Sequence, residues 1–367
     1  MSFFYNSTWC QKIHLIESGN SYLFLGFLSF INYSLCKNTN LAKRFTSIMN
    51  IGIIGSGNIT SSVHLPLLSC MDKINIKFIA DRKNPKTLAK LYNAKSIELN
   101  EQTSFPDCDV ILITLPVGVR KYYLEKFAEY GSYIFSEKPF TLDLKTHEDL
   151  LQLSDKFTCN YERIFYNTTR NIKNIISSEV FGKIQKISIV EGGIHGKTGM
   201  TKNSYINDPK LSGGFLHESA SHTFNQLSFL FEDIIVNSAN ILWQDNFDIE
   251  SNVFFDVTGK NSFSIDYKGT QIKHVEPKTT VFFEQVKIEF NHLIPDSPFL
   301  ISTINSDKKF ILNQENTFAS TFPQAYYLKW ADFINKISSS SRLKPEFETS
   351  LQTTQIISSI LEKGGRK

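Results

Sequence analysis

The sequence is poor in cysteine, has no unbroken apolar run long enough for a membrane, and carries no excess charge beyond its first 48 residues. Its five cysteines (Cys10, Cys36, Cys70, Cys108, Cys159) are scattered, odd in number and without a Cys-x-x-Cys pair. That excludes a disulfide framework and a zinc site and suits a reducing, cytoplasmic compartment; no metal is expected. The most apolar stretch, Tyr22 to Leu35, is broken by Ser29, Asn32 and Ser34, and is shorter than the roughly 20 residues a membrane helix requires. The formal charge of +3 comes from residues 1–48, where Lys12, Lys37, Lys43 and Arg44 face only Glu17. The neutral remainder has nothing to drive it onto nucleic acid. There is no basic start for a secretory signal and no Arg-rich pattern for an organelle signal. Residues 1–48 are expected to lie outside the fold, as a mis-assigned start before Met49 or as a weak membrane anchor. No internal repeat or low-complexity linker interrupts the rest.

What is present begins at Asn50-Ile-Gly-Ile-Ile-Gly-Ser-Gly-Asn-Ile-Thr60. Ile51, Ile53 and Ile54 suit a buried parallel strand. Gly55 and Gly57 follow at once, and a helix is expected over 59–68. Strand, Gly-x-Gly turn and helix form the context of a dinucleotide site. Gly55 permits the turn and Gly57 the approach of a pyrophosphate; the helix start at Asn58 and Ile59 receives its charge. Thr60 replaces the third glycine. The strand expected over 74–80 ends in Asp81-Arg82, about 24 residues past Gly57. Asp81 there can accept the ribose hydroxyls, favouring NAD, whereas Arg82 could clamp a 2′-phosphate, so NADP stays open.

Strands and helices then alternate. A helix is expected over 88–92, an edge strand over 96–98 and a strand over 109–115 ending at Leu115-Pro116. A helix over 120–130 stops at Gly131, and a strand over 133–135 leads into Ser-Glu137-Lys138-Pro139-Phe, with a helix over 144–156. This alternation argues a doubly wound parallel sheet. Leu115, Pro116 and Glu137 stand where such a sheet meets a cofactor. Lys138 would emerge beside the nicotinamide and stabilise negative charge on a substrate oxygen.

After a helix over 169–178 the pattern turns to β runs at 184–190, 241–244, 252–257, 262–267 and 280–290, implying a mostly antiparallel sheet in a second, α+β domain. Two helices, over 322–337 and 347–362, close the chain. Ahead of the second run lies Gly213-Gly214-Phe-Leu-His217-Glu218-Ser-Ala-Ser-His222. Glu218 and His222 are four apart, on one face of a helix. An imidazole there can exchange a proton with a hydroxyl, and the carboxylate can orient the ring or bind a second hydroxyl. His217 is expected to point elsewhere. Lys197 and Lys202 sit in the loop before this motif, either meeting an anionic substrate or simply solvated.

Together these signals resemble the Gfo/Idh/MocA family, which includes glucose-fructose oxidoreductase and inositol dehydrogenase. The resemblance rests on Gly55-x-Gly57, Glu137-Lys138-Pro139, Tyr161-x-Arg163, Gly182-Lys183-Ile184 and Gly213-Gly214 leading to His222. It implies a Rossmann domain (49–160), a substrate and oligomerisation domain (161–345) whose open sheet builds homo-oligomers, and a terminal helix (346–367). It also implies NAD(P)-linked hydride transfer at a sugar or polyol carbon, with Lys138 and His222 in the catalytic positions. Glu218 stands where the family usually has Asp, Ala220 where it has Gly, Asn225 where a second Asp is common, and Arg120 where His is frequent. A cofactor-binding sensor without turnover and a glycosidase using NAD without net redox remain alternatives.

Overall fold

The computed structural model describes residues 48–193, 205–259, 262–304, 308–314, 317–339 and 343–365. Residues 1–47 and the loop lysines Lys197 and Lys202 lie outside the described residues.

Six strands form the first sheet: β1 (Met49–Ile54), β2 (Ile74–Asp81), β3 (Lys95–Glu98), β4 (Val110–Ile113), β5 (Tyr133–Glu137) and β6 (Phe157–Asn160). All pair in parallel, in the order β3-β2-β1-β4-β5-β6. That is the doubly wound order, whose direction reverses between β1 and β4 and opens a crevice at the strands' carboxyl ends. Fully buried Ile51, Ile53, Val110 and Leu112 on one face and Ile54, Ile111 and Ile113 on the other account for the unbroken apolar strands. The short strand β6 was not expected; four residues are too few to display a period.

The second sheet has the order β14-β13-β12-β11-β7-β10-β9-β8. Its strands are β7 (Ile184–Gly192), β8 (Ile234–Gln244), β9 (Phe247–Val257), β10 (Phe263–Thr270), β11 (Lys278–Phe283), β12 (Val286–Phe290), β13 (Phe299–Thr303) and β14 (Lys309–Leu312). Pairing is antiparallel except between β7 and β10. The run expected as one strand over 280–290 is a hairpin. It turns at Glu284-Gln285, where neither glycine nor proline marks the turn. The strand expected over 241–244 begins seven residues earlier, and β13 and β14 lie beyond the β runs anticipated. Helices Asn167–Ser178, Ser221–Leu230 and Lys344–Lys363 cover one face of this sheet through Ile172, Phe224, Ile356 and Ile360.

Helix Phe322–Ser338 starts in a capping box. Thr321 accepts the Gln324 N–H, and the Gln324 side chain accepts the Thr321 N–H. It packs on the first sheet: Trp330 is fully buried and stacks on Phe135, with centroids 3.9 Å apart and planes 5° from parallel. The chain thus returns to the sheet it left, and the carboxyl ends of that sheet face the start of helix Ser221–Leu230.

Candidate active site

The Gly-x-Gly turn is built by its neighbours. Gly55 has φ +108°, and a Cβ there would lie 2.4 Å from Thr114 Oγ1, so a side chain meets both backbone strain and a clash. Thr60, in the place of the third glycine, donates to Gly55 O (3.0 Å) and lies 2.7 Å from Thr114 Oγ1, tying the turn to the end of β4. The following helix is wound in the wide π form over Thr60–His64 before it becomes α over Leu65–Ser69. Asn58 and Ile59 stand at its mouth, where the first amides have no partner inside the helix. A Cβ on Gly57 would meet no atom within 4 Å. The turn is therefore open on the side where a pyrophosphate would approach, and its residues fit that group. Asp81 closes β2 and holds the turn: Oδ2 accepts the Ser56 N–H (2.7 Å) and hydroxyl (2.8 Å), and Oδ1 accepts the Arg82 N–H (2.6 Å). A carboxylate has about four lone-pair positions, so capacity remains for a ribose hydroxyl. The Arg82 side chain is exposed.

Lys138 leaves the end of β5 in a clamped segment. The buried Arg120 guanidinium donates to Leu115 O (3.1 and 2.7 Å) and to Glu137 O and Pro139 O, gripping the backbone on both sides of Lys138. Leu115 and Pro116 thereby join the Lys138 segment at one strand end. The Glu137 side chain turns inward and is buried. His64 Nδ1 accepts the Trp330 indole N–H (3.0 Å), so Nε2 carries the ring proton and donates to Glu137 Oε1 at 2.8 Å. Asn160 donates to the same oxygen at 2.7 Å, and Glu137 Oε2 accepts the Lys138 N–H at 3.2 Å. Burial pushes the Glu137 carboxyl up, but the bonds from His64 and Asn160 and the Lys138 charge outweigh it and hold it below its ordinary range.

Across the cavity the Gly213-Gly214 turn positions the third motif. Gly214 has φ +89°, and a Cβ there would fall 1.9 Å from Asp248 Oδ1. Buried Asp248 uses both oxygens to accept the N–H groups of Phe215 (2.8 Å) and Leu216 (2.6 Å), fixing the start of the Glu218–His222 segment. His217 does point elsewhere, with its nitrogens on Gly213 O and Leu142 O.

The winding is again π over Leu216–Ala220, and Glu218 and His222 take different partners. Lys138 Nζ donates to Glu218 O at 2.5 Å and lies 3.4 Å from Glu218 Oε1, which also accepts from the Tyr205 hydroxyl at 3.2 Å. The carboxyl group beside the imidazole is instead Glu162, 1% exposed, whose Oε2 lies 3.6 Å from His222 Nδ1. Burial, followed by the Arg163 and Lys138 charges, drives His222 well below its ordinary value. The ring is thus a neutral imidazole. Burial drives the Glu162 carboxyl up to about 7, and Glu137 adds to the rise against the opposing pull of Arg163.

Lys138, Arg163, Glu191, Glu218, His222 and Gln271 line a cavity of about 370 Å³. Glu191 accepts from Thr223 (2.8 Å) and Tyr267 (2.7 Å) and lies 3.3 Å from His292 Nε2. Asn225 is turned away, donating to Thr353. Among the described residues no cluster of three His, Cys, Asp or Glu could hold a metal ion, and no helix is long and apolar enough to cross a membrane. Sequence reasoning missed Glu162, Asp248 and His64. None repeats at a telling spacing, and each acquires its partner only when distant segments meet.

Residues 49–162 match the model of the Gfo/Idh/MocA oxidoreductase family, described by its NAD-binding Rossmann fold. The first domain is of that family. Relatives of the chain include scyllo-inositol 2-dehydrogenase (NADP(+)) IolW of Bacillus subtilis, 23% identical over 207 residues, 55% of this chain and 57% of that protein. Inositol 2-dehydrogenase of Rhizobium meliloti is 24% identical over 188 residues, 50% and 54%. The chain thus spans little more than half the length of these relatives. Among solved structures, KijD10, a 3-ketoreductase from Actinomadura kijaniata in complex with NADP and TDP-benzene, superposes with a TM-score of 0.74 at 14% identity, covering 86% of this chain and 98% of that one. Levoglucosan dehydrogenase in complex with NADH and L-sorbose gives 0.73 at 14%, covering 87% and 97%. At this identity the superpositions establish the shared fold.

Proposed function

We propose that the protein is an NAD(P)-dependent oxidoreductase transferring a hydride between the nicotinamide and a carbinol or keto carbon of a sugar, polyol or sugar derivative. The observation that carries this reading is the meeting of Lys138, from the end of the parallel sheet, with His222, from the second domain, across one cavity. The inositol and levoglucosan dehydrogenases among its relatives support a sugar-like substrate.

Gly55, Gly57, Asn58 and Ile59 would hold the pyrophosphate, Asp81 and Arg82 the adenosine ribose, and Leu115, Pro116 and the Glu137 backbone the nicotinamide end. NAD or NADP, when bound, supplies the hydride acceptor or donor. In oxidation His222 takes the hydroxyl proton at Nε2 and Lys138 donates a hydrogen bond to the same oxygen as charge develops on it. Glu218 keeps the Lys138 ammonium directed into the cavity and offers its carboxylate to a second hydroxyl. The low-dielectric cavity strengthens both contacts.

We read the chain as two working units divided near residue 160, the second running to residue 345 before the terminal helix, with helix Phe322–Ser338 strapping it to the first sheet. We place the protein in the cytoplasm, in keeping with free Cys108 and Cys159. We further propose a homo-oligomer through the face of the second sheet left uncovered among the described residues, which presents exposed Ile235, Leu242 and Phe254; a monomer mass by sedimentation equilibrium would exclude it.

The test is a panel of sugars, inositols and nucleotide sugars with each cofactor, read as NAD(P)H absorbance. Turnover with one sugar class is expected. Free sugar without net absorbance change indicates the glycosidase alternative, and cofactor binding without turnover the sensor. Gly57→Val should abolish NAD(P) binding by calorimetry while the protein stays folded.

A further inference from the structure

His222 faces two ways. Its Nδ1 is enclosed and accepts or donates no hydrogen bond among the described residues, leaving Nε2 as the nitrogen toward the cavity. Behind Nδ1 lies Glu162, in the short turn Glu162–Phe165 that follows β6. Both Glu162 carboxylate oxygens are enclosed without a hydrogen-bond partner among the described residues. Buried oxygens in that condition cost free energy. The 3.6 Å separation from Nδ1 is one that a small ring rotation closes, and such contacts are commonly long before substrate binds.

We propose that Glu162 and His222 form one proton-sharing pair, in which Glu162 relieves the imidazole of the proton it takes from the substrate hydroxyl. The direction of transfer rests on the hydride-transfer reading; the pair itself rests on the contact. In oxidation the carbinol C–H bond breaks, and its electron pair would pass as hydride to the oxidised nicotinamide cofactor when that is bound. The substrate O–H proton forms a bond to His222 Nε2, while the Nδ1–H bond breaks and its proton forms an O–H on Glu162. The products are the carbonyl compound, the reduced nicotinamide, an imidazole in its other neutral tautomer and a neutral carboxyl. No step requires an imidazolium, which burial and the charges of Arg163 and Lys138 oppose. The carboxyl, pushed up to about 7, is poised to hold or release the proton near neutrality. Glu218 is committed to Lys138 and Tyr205.

The groups acting on Glu162 come from every side. Arg163 is its neighbour, Glu137 and Lys138 end β5, Tyr166 opens the next helix, and Tyr326 and Lys329 come from helix Phe322–Ser338. Arg163 and Lys138 favour the ionised carboxyl, whereas burial and Glu137 favour the neutral one.

The test is ¹⁵N NMR of the histidine-labelled full chain across about pH 5 to 9, which spans the titration, with His222 assigned by difference from His222→Asn. The ring should stay neutral throughout while its proton moves from Nε2 at low pH to Nδ1 at high pH, with a midpoint near 7. In the near-isosteric Glu162→Gln the tautomer should not change with pH. An imidazolium forming in the wild type, or identical titrations in both proteins, would overturn the pair whatever the activity. With a substrate from the panel, Glu162→Gln should lower kcat by on the order of tenfold or more, leave KM within a few-fold and remove the limb near 7 from the pH profile. A structural role alone would leave that limb in place. If the wild type turns over nothing, the functional reading fails while the ring titration still decides the pair.

Discussion

Lys138 and His222 reach one cavity from the end of the first sheet and from a helix packed on the second, and each is held by residues that do not face it. Arg120 grips the carbonyls around Lys138, and Asp248 caps the segment that ends at His222. If both act on one oxygen, Lys138→Ala and His222→Ala should each lower turnover by at least on the order of a hundredfold. NAD(P) affinity by calorimetry should stay within a few-fold. The double mutant should lose less than the product of the single losses, because groups that act as a unit fail together. A His222→Ala protein that stays active but melts earlier would make this histidine a core residue. Arg120 stands where the resembled family often has histidine. Only an extended guanidinium can span Leu115 O, Glu137 O and Pro139 O from one position.

At the scale of elements, helix Phe322–Ser338 does more than close the fold. Trp330 supplies stacking against Phe135 and the N–H that fixes the His64 tautomer, and through His64 it reaches Glu137 beside Lys138. The two contributions can be separated. Trp330→Phe keeps an aromatic ring but leaves His64 Nδ1 without its donor, an expected cost of about 1–3 kcal/mol. Trp330→Ala also opens a cavity and should cost about 3–5 kcal/mol. Urea denaturation measures both, and an unchanged midpoint for Trp330→Phe would show that the indole bond contributes nothing to stability.

For the whole molecule, buried titratable groups set the pH range of stability. Burial pushes His147 down to about 3 and His222 well below its ordinary value. The unfolded chain takes up protons on these rings near about pH 6.5. Their neutral burial is therefore costless above that pH, and stability falls as pH drops below it. Glu137 and Glu191, held below their ordinary range against burial by bonded His64 and His292, add to the loss as they protonate in acid. Glu162 acts in the opposite sense. Raised from 4.5 to about 7, it costs stability progressively as pH rises between those values, by a total of about 3 kcal/mol on linkage grounds. The melting temperature should drop steeply in acid and level off above about pH 7, where Glu162 is already ionised. Glu162→Gln should steepen the rise in melting temperature between about pH 4.5 and 7, as thermal unfolding followed by circular dichroism across pH would show.

The first domain was legible because its signals are local. Apolar β-branched runs, the Gly55-x-Gly57 turn and helix punctuation each act within a few residues, and the parallel alternation allows few topologies. Gly213-Gly214 was legible as a turn, and Lys138 and His222 as candidates from their chemistry and place. The hairpin at Glu284-Gln285 was not, because its turn has no glycine or proline, and β6, β13 and β14 are too short to show a period. Helical spacing placed Glu218 and His222 on one face, yet their partners were a tertiary decision. Lys138 draws Glu218 to itself, and β6 delivers Glu162 behind the imidazole. A carboxyl group's partner, and hence its proton affinity, depends on what burial and distant charges surround it, and those arrive only when the two sheets are brought together.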